Sequence, residues 1–215
     1  MRFFVFLILQ LIGVSALCAQ VQEVKSAPSA ARFAIVVDCS GTQRLQLDKT
    51  ISLIKQLAEA MRPGDEAFIV RFVGADKITV TQDFTHEKAE LQDAADDLYI
   101  EGGQTAIVDA IDFTAHHFAE DNANSDGSTR AIVLISDGDE RKGSTKADAT
   151  LSLLKQEKIK VFAIGISDLT VSTKLLDKFA KETGGKTFVP RTTSDLSNSI
   201  LEILAAIRGE QAAKK

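Results

Sequence analysis

Three short stretches carry oxygen donors at spacings that suit chemistry. The first, FAIVVDCSGT (33–42), sets Asp38 at the end of an apolar run and follows it with hydroxyls at Ser40 and Thr42. The second, EGGQT (101–105), ends on Thr105, and the third, VLISDGDE (133–140), places Ser136 and Asp137 after another apolar run. Asp38, Ser40 and Thr42 occupy alternate positions, so an extended chain would point all three oxygens to one side. An acid in this setting serves as a metal ligand, a phosphoryl acceptor or a helix cap. Two carboxylates and three hydroxyls are hard donors, with neither sulfur nor imidazole among them. That set favours Mg²⁺ or a similar hard cation over zinc. Taken singly, each residue also has a plain role: Ser40 or Thr42 caps the helix that follows, and Asp137-Gly138 makes a turn.

The elements that must position these residues alternate along the chain. Apolar, β-branched runs at 33–37, 67–73, 78–81, 131–135, 161–166 and 187–189 read as strands. Helical periodicity fills the gaps at 45–61, 88–98, 106–118, 146–158, 174–183 and 196–207. Pro63-Gly64-Asp65 stops the first helix and Gly184-Gly185 the fifth. This order predicts an α/β fold: a doubly wound, mostly parallel six-stranded sheet with helices on both faces. The short link at 74–77 makes the second and third strands a hairpin, so one edge strand is antiparallel. In such sheets ligands bind beyond the carboxyl ends of the strands, where the winding direction reverses. Asp38 and Asp137 sit at two such ends, and Ser167-Asp168 at a third.

The chain of 215 residues begins with one basic residue, an apolar stretch and small residues near Ala16–Ala19. That pattern predicts a secretory signal peptide over 1–19, a short polar linker over 20–31, one domain over 32–208 and a polar tail over 209–215. The mature protein is expected to be exported, periplasmic or secreted, and not inserted in a membrane. Cys18 leaves with the leader, so Cys39 has no disulfide partner and the fold stands on packing. With 25 basic against 30 acidic residues, the surface argues against nucleic acid and anionic lipid as partners.

Other chemistries fit less well. Gly184-Gly-Lys-Thr187 lacks the first glycine of a phosphate loop and runs into a strand, not a helix. Gly165-Ile-Ser167-Asp-Leu169 lacks the closing glycine of a nucleophile elbow. His116 and His117 are adjacent on a helix and point about 100° apart, so they do not share an ion. Cys39 lies between the candidate ligands and reads as a small buried filler.

Taken together, Asp38-Cys-Ser40-Gly-Thr42, Gly102-Gly103-Gln-Thr105 and Ser136-Asp137-Gly138 resemble the metal-ion-dependent adhesion site of a von Willebrand factor type A domain. The resemblance runs from about Arg32 to Arg208, takes in the PGDE turn (63–66) and TQDFT (81–85), and is strongest to short exported bacterial members. It implies strand order 3-2-1-4-5-6, with Asp38 and Asp137 on adjacent strands. It also implies that Asp38, Ser40, Thr42, Thr105 and Asp137 hold Mg²⁺ or Mn²⁺, some through water, and that an Asp or Glu of a partner protein completes the shell. On this reading the domain is a binding module and not an enzyme, with Arg44, Asp139 and Glu140 on the partner-binding rim. Two departures stand out: Thr42 where the family usually has serine, and Gln104 between the glycines and Thr105. In relatives with allosteric control the last helix shifts when the site is filled. Two alternatives stay open. A phosphatase similar to the haloacid dehalogenase superfamily would use Asp38 as nucleophile, but Ser40 stands where its general acid belongs. A purely structural domain would carry a vestigial site.

Overall fold

A computed structural model describes residues 30–121, 129–141 and 143–210. The expected signal peptide, most of the linker and the end of the tail lie outside the described residues. Along the chain the elements are β1 (Ala31–Asp38), a 3-10 turn (Gly41–Gln46), α1 (Leu47–Glu59), β2 (Glu66–Phe72), β3 (Ile78–Thr85), α2 (Lys88–Asp96), α3 (Ile107–Glu120), β4 (Thr129–Ser136), α4 (Ala147–Gln156), β5 (Lys160–Gly165), α5 (Thr173–Thr183), β6 (Thr187–Phe188) and α6 (Thr193–Ile207). The six strands form one sheet in the order β3-β2-β1-β4-β5-β6. β2 and β3 pair antiparallel and the other four pairings are parallel.

Both faces of the central strands are buried, which is why their sequences read as continuous apolar runs. The period of two sorts the side chains. Phe33, Ile35 and Val37 of β1 pack with Val133 and Ile135 of β4 against α1, α2 and α6. Ala34 and Val36 pack with Ile132 and Leu134 against α3, α4 and α5. Helix faces follow the same logic at helical spacing: Leu196, Ile200, Ile203, Leu204 and Ile207 of α6 all lie in the first of these cores. The edge strand β3 alternates half-buried and exposed residues instead, as expected for a strand covered on one side.

Local chemistry sets the ends of elements. Gly184 closes α5 in the left-handed conformation (φ 77°). A reciprocal capping box between Thr192 and Asp195 opens α6. Most element ends shift by a few residues from those read in the sequence, and three of the shifts stand out. β1 begins at Ala31, inside the expected linker, because its amide donates to the buried Asp65 carboxylate (2.7 Å). β3 runs on to Thr85, and the first helix begins as a 3-10 turn and becomes α-helical at Leu47. Among the described residues no helix is long and apolar enough to cross a membrane.

Candidate metal centre at the carboxyl edge of the sheet

β1 and β4 lie side by side and parallel, with Val37 opposite Ile135. From β1 the chain winds toward β2, and from β4 toward β5, so the crevice between their carboxyl ends is the switch point of the sheet. Asp38 ends β1 and Asp137 follows β4, which puts both acids at that crevice. The strand order therefore brings Asp38 and Asp137 to one crevice.

Asp38 is buried and held by local hydrogen bonds. The Ser40 amide donates to its Oδ1 (3.0 Å) and the Ser136 hydroxyl, from the neighbouring strand, to its Oδ2 (2.8 Å). Ser136 is thus a supporting group for Asp38, and its own oxygen accepts the Gly138 amide (3.0 Å). Ser40 is extended (φ −67°, ψ 165°), and the chain then turns into the 3-10 segment at Gly41. Ser40 and Thr42 consequently meet in a turn, with their hydroxyl oxygens 3.1 Å apart, not along an extended strand. Ser40 is buried and Thr42 exposed. Cys39 is buried on the opposite side of the turn, in the core beneath α1.

Asp137 leads into a tight turn. Its Oδ1 accepts the Asp139 amide (3.0 Å) and its carbonyl accepts the Ser172 amide (2.7 Å). Gly138 has φ 79°, and a Cβ there would lie 2.0 Å from the Ser172 carbonyl oxygen, so only glycine fits beside this acid. Thr105 is buried just before α3. The loop carrying it is stitched to the sheet edge: the Glu101 amide donates to the Cys39 carbonyl (3.0 Å) and the Ala106 amide to the Val73 carbonyl (3.2 Å).

Electrostatics single out Asp38. Burial pushes its carboxyl up, the hydrogen bonds from Ser40 and Ser136 offset only part of that, and the Asp137 charge raises it further, to about 6. Among the described residues no cationic side chain pairs with Asp38 or Asp137. Nor do three His, Cys, Asp or Glu side chains among them come together in an arrangement that could hold a metal ion. A cation here would depend on hydroxyl donors as well as the two acids. That donor set suits a hard divalent ion: Asp38, Ser40, Thr42, Thr105 and Asp137 offer oxygen alone, and the buried acid lacks a counter-charge.

The rim residues have distinct fates. Arg44 is exposed. Asp139 is half-buried and pairs with Arg141 (2.7 Å). Glu140 turns inward, and its carboxylate accepts the Ile107 amide at the start of α3. Burial raises its carboxyl above the ordinary range, more than the Ile107 and Val108 amides lower it. Several features escaped sequence reasoning because they depend on distant neighbours. The Gln46 amide donates to Asp168 Oδ1, tying the loop after β1 to the loop after β5. Leu45 (80% exposed) and Leu169 (95%) flank that tie as bare apolar groups at the same edge. Both amide atoms of Gln43 are buried without a hydrogen-bond partner among the described residues. An open cleft of about 460 Å³ lies beside Thr105, lined by Gly74, Lys77, Gly103, Gln104 and Ser144 among others.

Fold and site define an α/β domain with an oxygen-donor cluster at its switch point. The family model for the von Willebrand factor type A domain matches residues 33–203, and the chain belongs to that family. Solved structures share the fold. An aerotolerance-related membrane protein from Bacteroides fragilis superposes with TM-score 0.68 at 21% identity, over 82% of this chain and 100% of that one. A von Willebrand factor type A protein from Catenulispora acidiphila gives TM-score 0.69 at 21% identity; 86% of this chain is covered, but only 44% of the other. Manganese-loaded TRAP protein from Plasmodium vivax gives 0.63 at 17% identity, over 83% and 72%. At these identities the likeness is one of fold. No curated protein matches the chain.

Proposed function

We propose that this domain is an interaction module. Its residues Asp38, Ser40, Thr42, Thr105 and Asp137 hold Mg²⁺ or Mn²⁺ and present it to an Asp or Glu side chain of a partner protein. The observation that carries this reading is the buried Asp38 carboxyl, pushed up to about 6 beside a second acid and without a cationic neighbour. A divalent cation bound there supplies positive charge and an open coordination position for a further carboxylate. Asp38 and Asp137 balance its charge, while Ser40, Thr42 and Thr105 contribute neutral oxygens. Ser136 fixes the Asp38 carboxylate from the side, and Gly138 lets the chain turn without covering Asp137. Arg44 and the cleft beside Thr105 offer the surface on which a partner is selected. Membership of the family supports a binding role, as does the manganese held by the Plasmodium relative. Thr42 keeps the donor oxygen of the usual serine, and its exposed position leaves room for the extra methyl. The apolar leader supports export to the periplasm or beyond.

Calorimetric titration of the purified protein with MgCl₂ and MnCl₂ tests the site. Saturable binding in wild type and its loss in Asp38→Ala and Thr105→Ala are expected. Binding unchanged in both variants would remove the assignment. Turnover of a phosphate monoester that disappears in Asp38→Asn would favour the phosphatase alternative instead.

A further inference from the structure

Thr105 and Asp137 come from different parts of the chain, so something must fix their separation. α3 starts without a side-chain cap of its own: the residue before it is Ala106. Its first turn is instead bound from outside, by the segment that follows Asp137. The Glu140 carboxylate accepts the Ile107 amide, and the Arg141 amide donates to the Thr105 carbonyl (3.0 Å). One turn further on, buried Asp109 reaches back. Its carboxylate accepts the amides of Ser144 (2.9 Å) and Thr145 (3.1 Å), the Thr145 hydroxyl (2.9 Å) and the Ser144 hydroxyl. Gly143 is the residue that lets both acids close on the segment. A Cβ there would stand 2.6 Å from Glu140 Oε1 and 2.7 Å from Asp109 Oδ2.

The exchange is reciprocal: one acid travels from the segment after β4 to α3, and another from α3 to the segment before α4. Neither points to a partner outside this pair of elements. Placing half-buried Glu140 near Asp109 and Asp38 is electrostatically costly, since both charges disfavour its ionised form. The hydrogen bonds hold Glu140 and Asp109 there, and Asp109 receives enough of them to lie below the ordinary carboxylate range in spite of its burial.

We propose that Asp109 and Glu140 are positioning residues for the cation site. They clamp the segment after Asp137 onto the first turn of α3 and so set the distance between Asp137 and Thr105. The proposal rests on the metal-binding reading above. Outer groups that orient metal ligands typically change affinity 10–100-fold when removed.

The test is Mn²⁺ titration of the full chain, followed by electron paramagnetic resonance of the free ion, with thermal unfolding measured in chelator. Asp109→Ala and the pair Ser144→Ala/Thr145→Val should each weaken Mn²⁺ binding about 10-fold or more, and Glu140→Gln by less. The Ser144/Thr145 pair keeps Asp109 itself and covers the case in which Asp109→Ala fails to fold. The control is Asp112→Ala, which breaks the α3–α4 tie from Thr150 (2.9 Å) away from the site. It should lower the unfolding temperature and leave the Mn²⁺ Kd unchanged. In metal-free protein, amide exchange at Arg141 and Thr145 should rise in the Asp109 variant but not in the Asp112 one. Wild-type binding with an unaltered Kd in the Asp109, Glu140 and Ser144/Thr145 variants overturns the clamp alone. No Mn²⁺ binding by wild type overturns the clamp together with the reading beneath it.

Discussion

Asp38 and Asp65 are the same side chain buried to the same depth, 3% and 2% exposed, at opposite edges of one sheet. At the amino edge, Asp65 accepts the Ala31 amide (2.7 Å), the Arg62 amide (2.8 Å) and the guanidinium of buried Arg208. Burial by itself would raise its carboxyl; Arg208 and the two amides overcome that and hold it below the ordinary range. At the carboxyl edge, burial dominates Asp38, and the charge that acts on it is that of another acid, Asp137. Asp65 joins the start of β1, the end of α1 and the end of α6, so it fastens the fold. Asp38 has no such cation as Arg208 among the described residues. A buried acid is structural when its cation is built into the chain, and a candidate binding group when it is not.

The largest expected effect lies at the amino edge. Asp65→Ala leaves the Arg208 guanidinium buried without its acid and should cost about 3–5 kcal/mol of unfolding free energy in urea titrations. The comparison requires the opposite sign at the other edge. In chelator at pH 7, Asp38→Asn should be about 1–3 kcal/mol more stable than wild type, since it removes an uncompensated buried charge. A clearly destabilised Asp38→Asn would break the contrast. Adding Mg²⁺ at about 100 times its Kd should stabilise wild type by about 2.7 kcal/mol and leave Asp38→Asn unmoved.

The two acids also set opposite pH slopes. Asp65 has a depressed pKa in the folded state. Its contribution is fully present above the ordinary carboxylate pKa and is lost as pH falls through the lower folded value. Asp38 in metal-free protein has a raised one, so the folded state binds the extra proton and stability falls as pH climbs from about 4 to about 6. Subtracting the Asp38→Asn curve from wild type in chelator should isolate that falling slope, and a flat difference would argue against the raised carboxyl. The smallest effect belongs to an ion pair beside Asp65. Arg62 pairs with Glu210 while its own side chain is 55% exposed, and Glu210→Gln should cost under about 1 kcal/mol by the same urea titrations. That pair and the buried Arg208–Asp65 pair differ in burial more than in chemistry, which makes the contrast sharp.

Much of the fold was legible because its signals are local. The run AIVV before Asp38 reads as a strand buried on both faces, and α6 displays its core stripe at 196, 200, 203, 204 and 207. The ligand types were legible too, since an oxygen-only set at three strand or helix ends points to a hard cation wherever the ends meet. The roles of Ser136, Asp109 and Glu140 were not. Ser136 donates to an acid 98 residues away, and Asp109 and Glu140 each engage an element more than 30 residues away. Nothing in their own neighbourhoods marks them. The turn at Gly41 was missed for a smaller reason: alternate spacing describes an extended chain, and this one bends into a 3-10 segment before Thr42.

By itself the sequence determined the order of strands and helices and the kinds of donor at the strand ends, because side-chain periodicity and turn residues act over a few positions. Only the tertiary structure decided which acids are paired and which stand without a cation. Charge compensation depends on what arrives from elsewhere: Arg208 reaches Asp65 across 143 residues, and the chain sends no such group to Asp38 among the described residues.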